Sequence, residues 1–110
     1  MRQLHIYNNK VFAGILTETD DKKYEFAYDG VYVNSEEPCI SLTLPKRTEP
    51  YHSDFMFSFF ANILPEGANK KWICRRYHID ESDDMGLLTF FSGKDFIGSI
   101  SVESINNAQV

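Results

Sequence analysis

Cysteine is scarce and long apolar runs are missing. Only two cysteines, Cys39 and Cys74, occur in 110 residues, too few to staple a small secreted scaffold. The opening Met1-Arg2-Gln3-Leu4-His5-Ile6 lacks the apolar core of a signal peptide. No uninterrupted apolar run approaches the ~20 residues needed to cross a bilayer, so cytoplasmic residence without membrane attachment is expected. Positive charge is also in deficit: 11 Lys and Arg against 16 Asp and Glu give a net charge of -5. Sequence-independent binding to phosphate backbones needs the opposite balance, which argues against direct contact with nucleic acid. The phosphate loop Gly-x-x-x-x-Gly-Lys, the dinucleotide fingerprint Gly-x-Gly-x-x-Gly, the Gly-x-Ser-x-Gly elbow and the His-Arg-Asp and Asp-Phe-Gly motifs of protein kinases are all absent. No catalytic set and no cofactor are implied.

Aromatic residues, by contrast, are plentiful at 15%, with Phe 9 and Tyr 6, against an ordinary 43% hydrophobic and 25% charged content. A chain of this length forms one domain and buries roughly two thirds of the surface that its unfolded form exposes. Rings in this number supply either a core or an interface.

Period-two alternation in Leu4-His5-Ile6-Tyr7, a turn at Asn8-Asn9-Lys10 and an extended Val11 to Leu16 predict a β-hairpin. Polar Thr17 to Lys23 reads as a loop, Tyr24 to Tyr28 as a third strand, Asp29-Gly30 as a turn, and Ile40-Ser41-Leu42-Thr43-Leu44 as a fourth strand stopped by Pro45. Lys46 to His52 is polar and broken by Pro50. Ser53 then caps a predicted helix that reaches Leu64, where Pro65 ends it. A second helix is expected from Ala68 to His78, and a third from Asp83 to Phe91 behind Ser82, closed by Ser92-Gly93. Phe96 to Val102 is the last strand. With no βαβ alternation, the order implies an α+β domain over residues 1–104: a largely antiparallel, barrel-like sheet of about five strands with two to three helices, then a tail from 105 to 110.

Two clusters invite a chemical reading and give little. Cys74 and His78 lie four apart on one helix, but a structural zinc needs four ligands and no second pair stands at suitable spacing. Asp80, Glu81, Asp83 and Asp84 lack calcium-loop spacing and read as an exposed loop and first helical turn.

The helices are richer. In the first, Phe55, Met56, Phe57, Phe59, Phe60, Ile63 and Leu64 spread over about 200°, twice the stripe of a surface helix. A central buried helix explains most of that width, leaving one edge, at Phe57, to face a partner. In the second, Ile73, Cys74 and Tyr77 share a face while Trp72 turns away from Tyr77 toward Arg75 and Arg76. Lys70, Lys71, Arg75 and Arg76 make this helix a positive stripe on an acidic protein, suited to steering onto a charged protein partner. Trp and Arg are the residues most enriched at binding hot spots. An exposed Trp72 is therefore weighed almost evenly against one folded down over the core edge.

Four pieces in order, Ser41-Leu42-Thr43-Leu44-Pro45, Phe59-Phe60-Ala61-Asn62-Ile63-Leu64-Pro65-Glu66-Gly67, Arg75-Arg76-Tyr77-His78-Ile79 and Gly98-Ser99-Ile100-Ser101-Val102, resemble the N-terminal subdomain of HipA-type serine/threonine kinases. The Phe-Phe-x-Asn-x-Leu-Pro-Glu-Gly block is the specific one, and the likeness runs from about Leu4 to Val102. A chain of this length is similar to the detached HipS-like proteins of three-component bacterial HipBST toxin-antitoxin modules. The resemblance implies a non-catalytic antitoxin that binds a shortened HipT-like kinase, with a DNA-binding HipB-like protein as a possible third member. The alternative is a regulatory subdomain excised from a full-length HipA-like kinase, with an interdomain structural role. Trp72 stands where the longer kinases usually carry a small or polar residue. The expected partner-binding set is Trp72, Arg75, Arg76, Lys71, Phe57 and Glu66.

Overall fold

Asn9 and Lys10 take φ of 53° and 67°, the positive values that a two-residue turn matching the twist of its strands requires. They join β1 (Arg2–Asn8) to β2 (Val11–Glu18) in the expected hairpin. The structure, a computed structural model, describes residues 2–64, 67–91 and 100–104. Within these follow β3 (Tyr24–Tyr28), α1 (Gly30–Val33), β4 (Tyr51–Ser53), α2 (Ser58–Asn62), α3 (Gly67–Tyr77), α4 (Asp84–Phe90) and β5 (Ile100–Ser104). The strands form one antiparallel sheet in the order β4-β3-β2-β1-β5. The fold is α+β as expected, but among the described residues the sheet stays open, with β4 and β5 as edges, rather than closing like a barrel.

Alternation sends Leu4, Ile6, Leu16, Phe26, Tyr28, Ile100 and Val102 to one face, where all are buried. Register aligns them in rows, Leu4 beside Leu16 beside Phe26, and Val102 beside Ile6 beside Gly14 beside Tyr28. A bulge between Ile6 and Tyr7 pairs Tyr7 with Phe12 and tucks Ala13 into the core as well. Helices cover this face: Tyr32 of α1 stacks on Tyr28 at 5.9 Å, Phe60 of α2 meets Phe26 at 5.6 Å, and Met85, Leu87 and Leu88 of α4 are fully buried. On the opposite face His5, Tyr7 and Phe12 form a ring cluster 5.0 to 6.4 Å apart.

Several expectations are overturned: four helices rather than two to three are present among the described residues, and Asp29-Gly30, read as a turn, caps and opens α1. Ile40 to Leu44 is not a strand: Leu44 N–H donates to Ser41 O at 3.0 Å, and the hydroxyls of Ser41 and Thr43 bond each other at 2.9 Å. Turn chemistry outcompetes the alternation, burying Ile40 and Leu44 while leaving Leu42 94% exposed. Beside β3 the place is taken by β4, within a stretch read as loop. The helix expected from Ser53 begins instead at Ser58. Ser53 Oγ accepts from Phe55 N–H at 3.1 Å, closing a local turn that diverts the chain. The third helix is capped by Asp83, since Ser82 is held by Asp80. Ser92-Gly93, Phe96 to Ser99, Glu66 and the tail lie outside the described residues.

Candidate functional site

Gly67 opens α3 at φ 61°, a left-handed backbone that only glycine adopts at little cost. The helix closes at His78, φ 60°, where Ile79 N–H reaches back to Cys74 O at 2.9 Å. That pairing is the Schellman closure, and half-buried Ile79 supplies the apolar contact that accompanies it. Between these ends only Cys74 is buried, with Lys70 and Ile73 partly so, a narrow attachment for eleven residues. Burial pushes the Cys74 thiol up, so it packs as a small apolar group. His78 is exposed, and among the described residues no group of three or more metal-ligating side chains is present.

The outer side of α3 carries Lys71, Trp72, Arg75 and Arg76, all exposed, Trp72 at 61%. The helical phase therefore placed Trp72 correctly on the outside. Tyr77 is not turned inward, however. It is 47% exposed, and its ring meets Trp72 edge-on at 6.4 Å. Side chains lean toward the helix N-terminus, so Tyr77 lies back over the preceding turn. The Arg76 guanidinium stands 5.5 Å from the centroid of the Tyr77 ring rather than over Trp72. Tyr77 in turn contacts Phe90 of α4 at 4.7 Å, and Phe90 contacts Phe91 at 5.0 Å. A row of rings thus runs from α3 onto α4.

Phe57 does not join this face. It sits just before α2, half-buried and 6.4 Å from Phe60. With Phe55, Met56, Thr43 and Leu44 it lines a separate cleft of about 380 Å³. The exposed aromatic there is Phe55, at 79%. Sequence reading missed Leu42 and Phe55 because both were assigned to regular elements. Tyr hydroxyls hold the Leu42 loop: Tyr28 donates to Leu44 O and accepts from Ile40 N–H at 3.1 Å, Tyr32 donates to Pro38 O at 2.6 Å, and Tyr51 donates to Pro45 O at 2.6 Å.

In the acidic cluster, Asp80 and Asp83 hold local structure. Asp83 caps α4 through Gly86 N–H at 3.0 Å and receives both terminal nitrogens of Arg2 at 2.8 and 3.2 Å. Arg2 also bonds Glu18 at 2.7 Å, so this one side chain links β1 to β2 as well as to the start of α4. The Arg2 guanidinium holds the Asp83 carboxyl below the usual carboxylate range. Burial pushes Asp84 up against the opposing pull of Lys70.

Residues 4–103 match the family model described as the HipA N-terminal domain. A Haemophilus influenzae chain described as "Uncharacterized protein" is 33% identical over 92 residues, covering 84% of this chain and 82% of that one. The Sinorhizobium fredii protein "Putative kinase Y4dM" is 30% identical over 95 residues, and this chain spans only 23% of its length. A solved structure described as the N-terminal domain of HipA toxin superposes with a TM-score of 0.70 at 25% identity, covering 96% of both chains.

Proposed function

The chain belongs to the HipA N-terminal domain family, and from that membership we propose that it acts as a non-catalytic antitoxin, binding a HipT-like serine/threonine kinase in the bacterial cytoplasm and restraining it. The observation that carries this reading is Trp72, 61% exposed beside Arg75 and Arg76 on a helix that buries little of itself. A solvent-facing Trp at this position offers a large apolar contact to a partner surface. A separate inhibitor can insert the ring into the kinase cleft as a hot spot. The domain corresponds to the small N-terminal part of HipA-type proteins rather than the kinase core. A HipB-like DNA-binding protein fits as a third member that would contact DNA in place of this acidic chain.

A second reading rests on the match to only 23% of Y4dM: the domain serves within a longer kinase as a structural, interdomain element. Co-expression with a HipT-like kinase separates the two. An antitoxin restores growth to cells poisoned by that kinase and is retained with it on purification, and Trp72→Ala weakens both effects. A chain that neither rescues growth nor co-purifies contradicts the antitoxin reading.

A further inference from the structure

We infer that the α3 face is built for an acidic protein surface, with the ring row Trp72, Tyr77 and Phe90 as its apolar centre and Lys71, Arg75 and Arg76 as its charged rim. This rests on the kinase-binding reading and specifies the chemistry of the kinase surface that is met. α3 carries four cations and no carboxylate on a chain of net charge -5, leaving -9 elsewhere. Among the described residues, no carboxylate pairs with Lys71, Arg75 or Arg76. Lys70 differs, because it lies within electrostatic reach of Asp84 and favours its charged form.

Cations with no carboxylate partner among the described residues, beside exposed Trp72 and Tyr77 and half-buried Phe90, have the anatomy of a binding surface, with an apolar centre and a charged rim. Complementarity then specifies the sign of the partner. A second copy is the wrong occupant, since a two-fold interface would set one cationic α3 against another. The rim sets the approach, because fixed charges of one sign raise the association rate in a salt-dependent way. Tyr77 enters the interface although sequence phase had placed it inward. Its ring lies between Trp72 and Phe90, so removing it splits the row.

The test is titration of the purified chain against a HipT-like kinase at low and high salt, with Lys71→Glu, Arg75→Glu and Arg76→Glu combined, and with Tyr77→Ala alone. Thermal melts confirm that the variants fold, as expected for exposed positions. The charge reversal is expected to weaken binding more than tenfold at low salt and to flatten its salt dependence. Tyr77→Ala is expected to weaken binding about tenfold at either salt. Wild-type binding that is indifferent to salt and to the reversal overturns this inference and leaves kinase binding intact. Failure of the wild type to bind overturns both. A concentration-dependent dimer abolished by the reversal, or capture of the wild type by anionic vesicles in preference to the kinase, assigns the face to another occupant and overturns the inference.

Discussion

Gly14 leaves no room for a methyl group, because a Cβ built on it would land on the backbone oxygen of Ala27 in the neighbouring strand. Gly14→Ala is therefore expected to push β2 from β3 and cost roughly 1–3 kcal/mol, the range for overpacking, measured by urea denaturation. Tyr28 is constrained in another way. Burial pushes its hydroxyl up to about 12, so it stays protonated and can donate to Leu44 O while accepting from Ile40 N–H. Tyr28→Phe leaves that buried N–H without its acceptor and should cost about 1–3 kcal/mol, visible as a lowered denaturation midpoint. Neither role was legible in the sequence, since both depend on a partner strand or loop far along the chain. Trp72 was legible, because helical phase is local and α3 formed close to where it was expected. Tyr77 was not, because phase gives the direction of a Cβ and not where a long ring comes to rest.

Elements with their signals inside themselves were read correctly. The hairpin turn Asn9-Lys10, the alternation of β3 and the span of α3 each follow from a few adjacent residues. Errors gathered between Ile40 and Phe57, where hydroxyl groups and tyrosine anchors decide the path. The apolar spacing of Ile40, Leu42 and Leu44 fits a strand equally well, and nothing local says that Leu42 will be left outside. The C-terminal closure of α3 offers a test at this scale. His78 occupies a left-handed conformation that strains any residue with a Cβ. His78→Gly should stabilise the protein by about 0.5–1 kcal/mol and slow amide exchange across α3, provided the relief of strain exceeds the added entropy of the unfolded chain. Faster exchange there would show that His78 makes a compensating contact.

For the molecule as a whole, pH reports how the ends of the described fold are tied together. Asp83 has its carboxyl held down by Arg2, so the stability it contributes is present above the ordinary carboxylate value and is lost as pH falls through the lowered one. The denaturation midpoint should therefore fall on acidification below about pH 4, and Asp83→Asn should flatten that slope while lowering stability at neutral pH through the weakened Arg2 pairing. An unchanged slope would detach the acid sensitivity from this corner. Among the described residues no helix is long and apolar enough to cross a membrane, and α3 gathers four cations with no carboxylate of its own. The family was legible because its motif block sits in one short segment. The open sheet was not, because whether β4 and β5 meet depends on shear and twist accumulated over five strands. The proposed kinase restraint is tested most directly by titrating the purified chain into a HipT-like kinase while following both binding and phosphotransfer. Saturable binding with a parallel loss of phosphotransfer is expected, weakened about 30-fold or more by Trp72→Ala without loss of folding, the equivalent of ~2 kcal/mol. Phosphotransfer that continues undiminished at saturating chain, or binding untouched by Trp72→Ala, would contradict it.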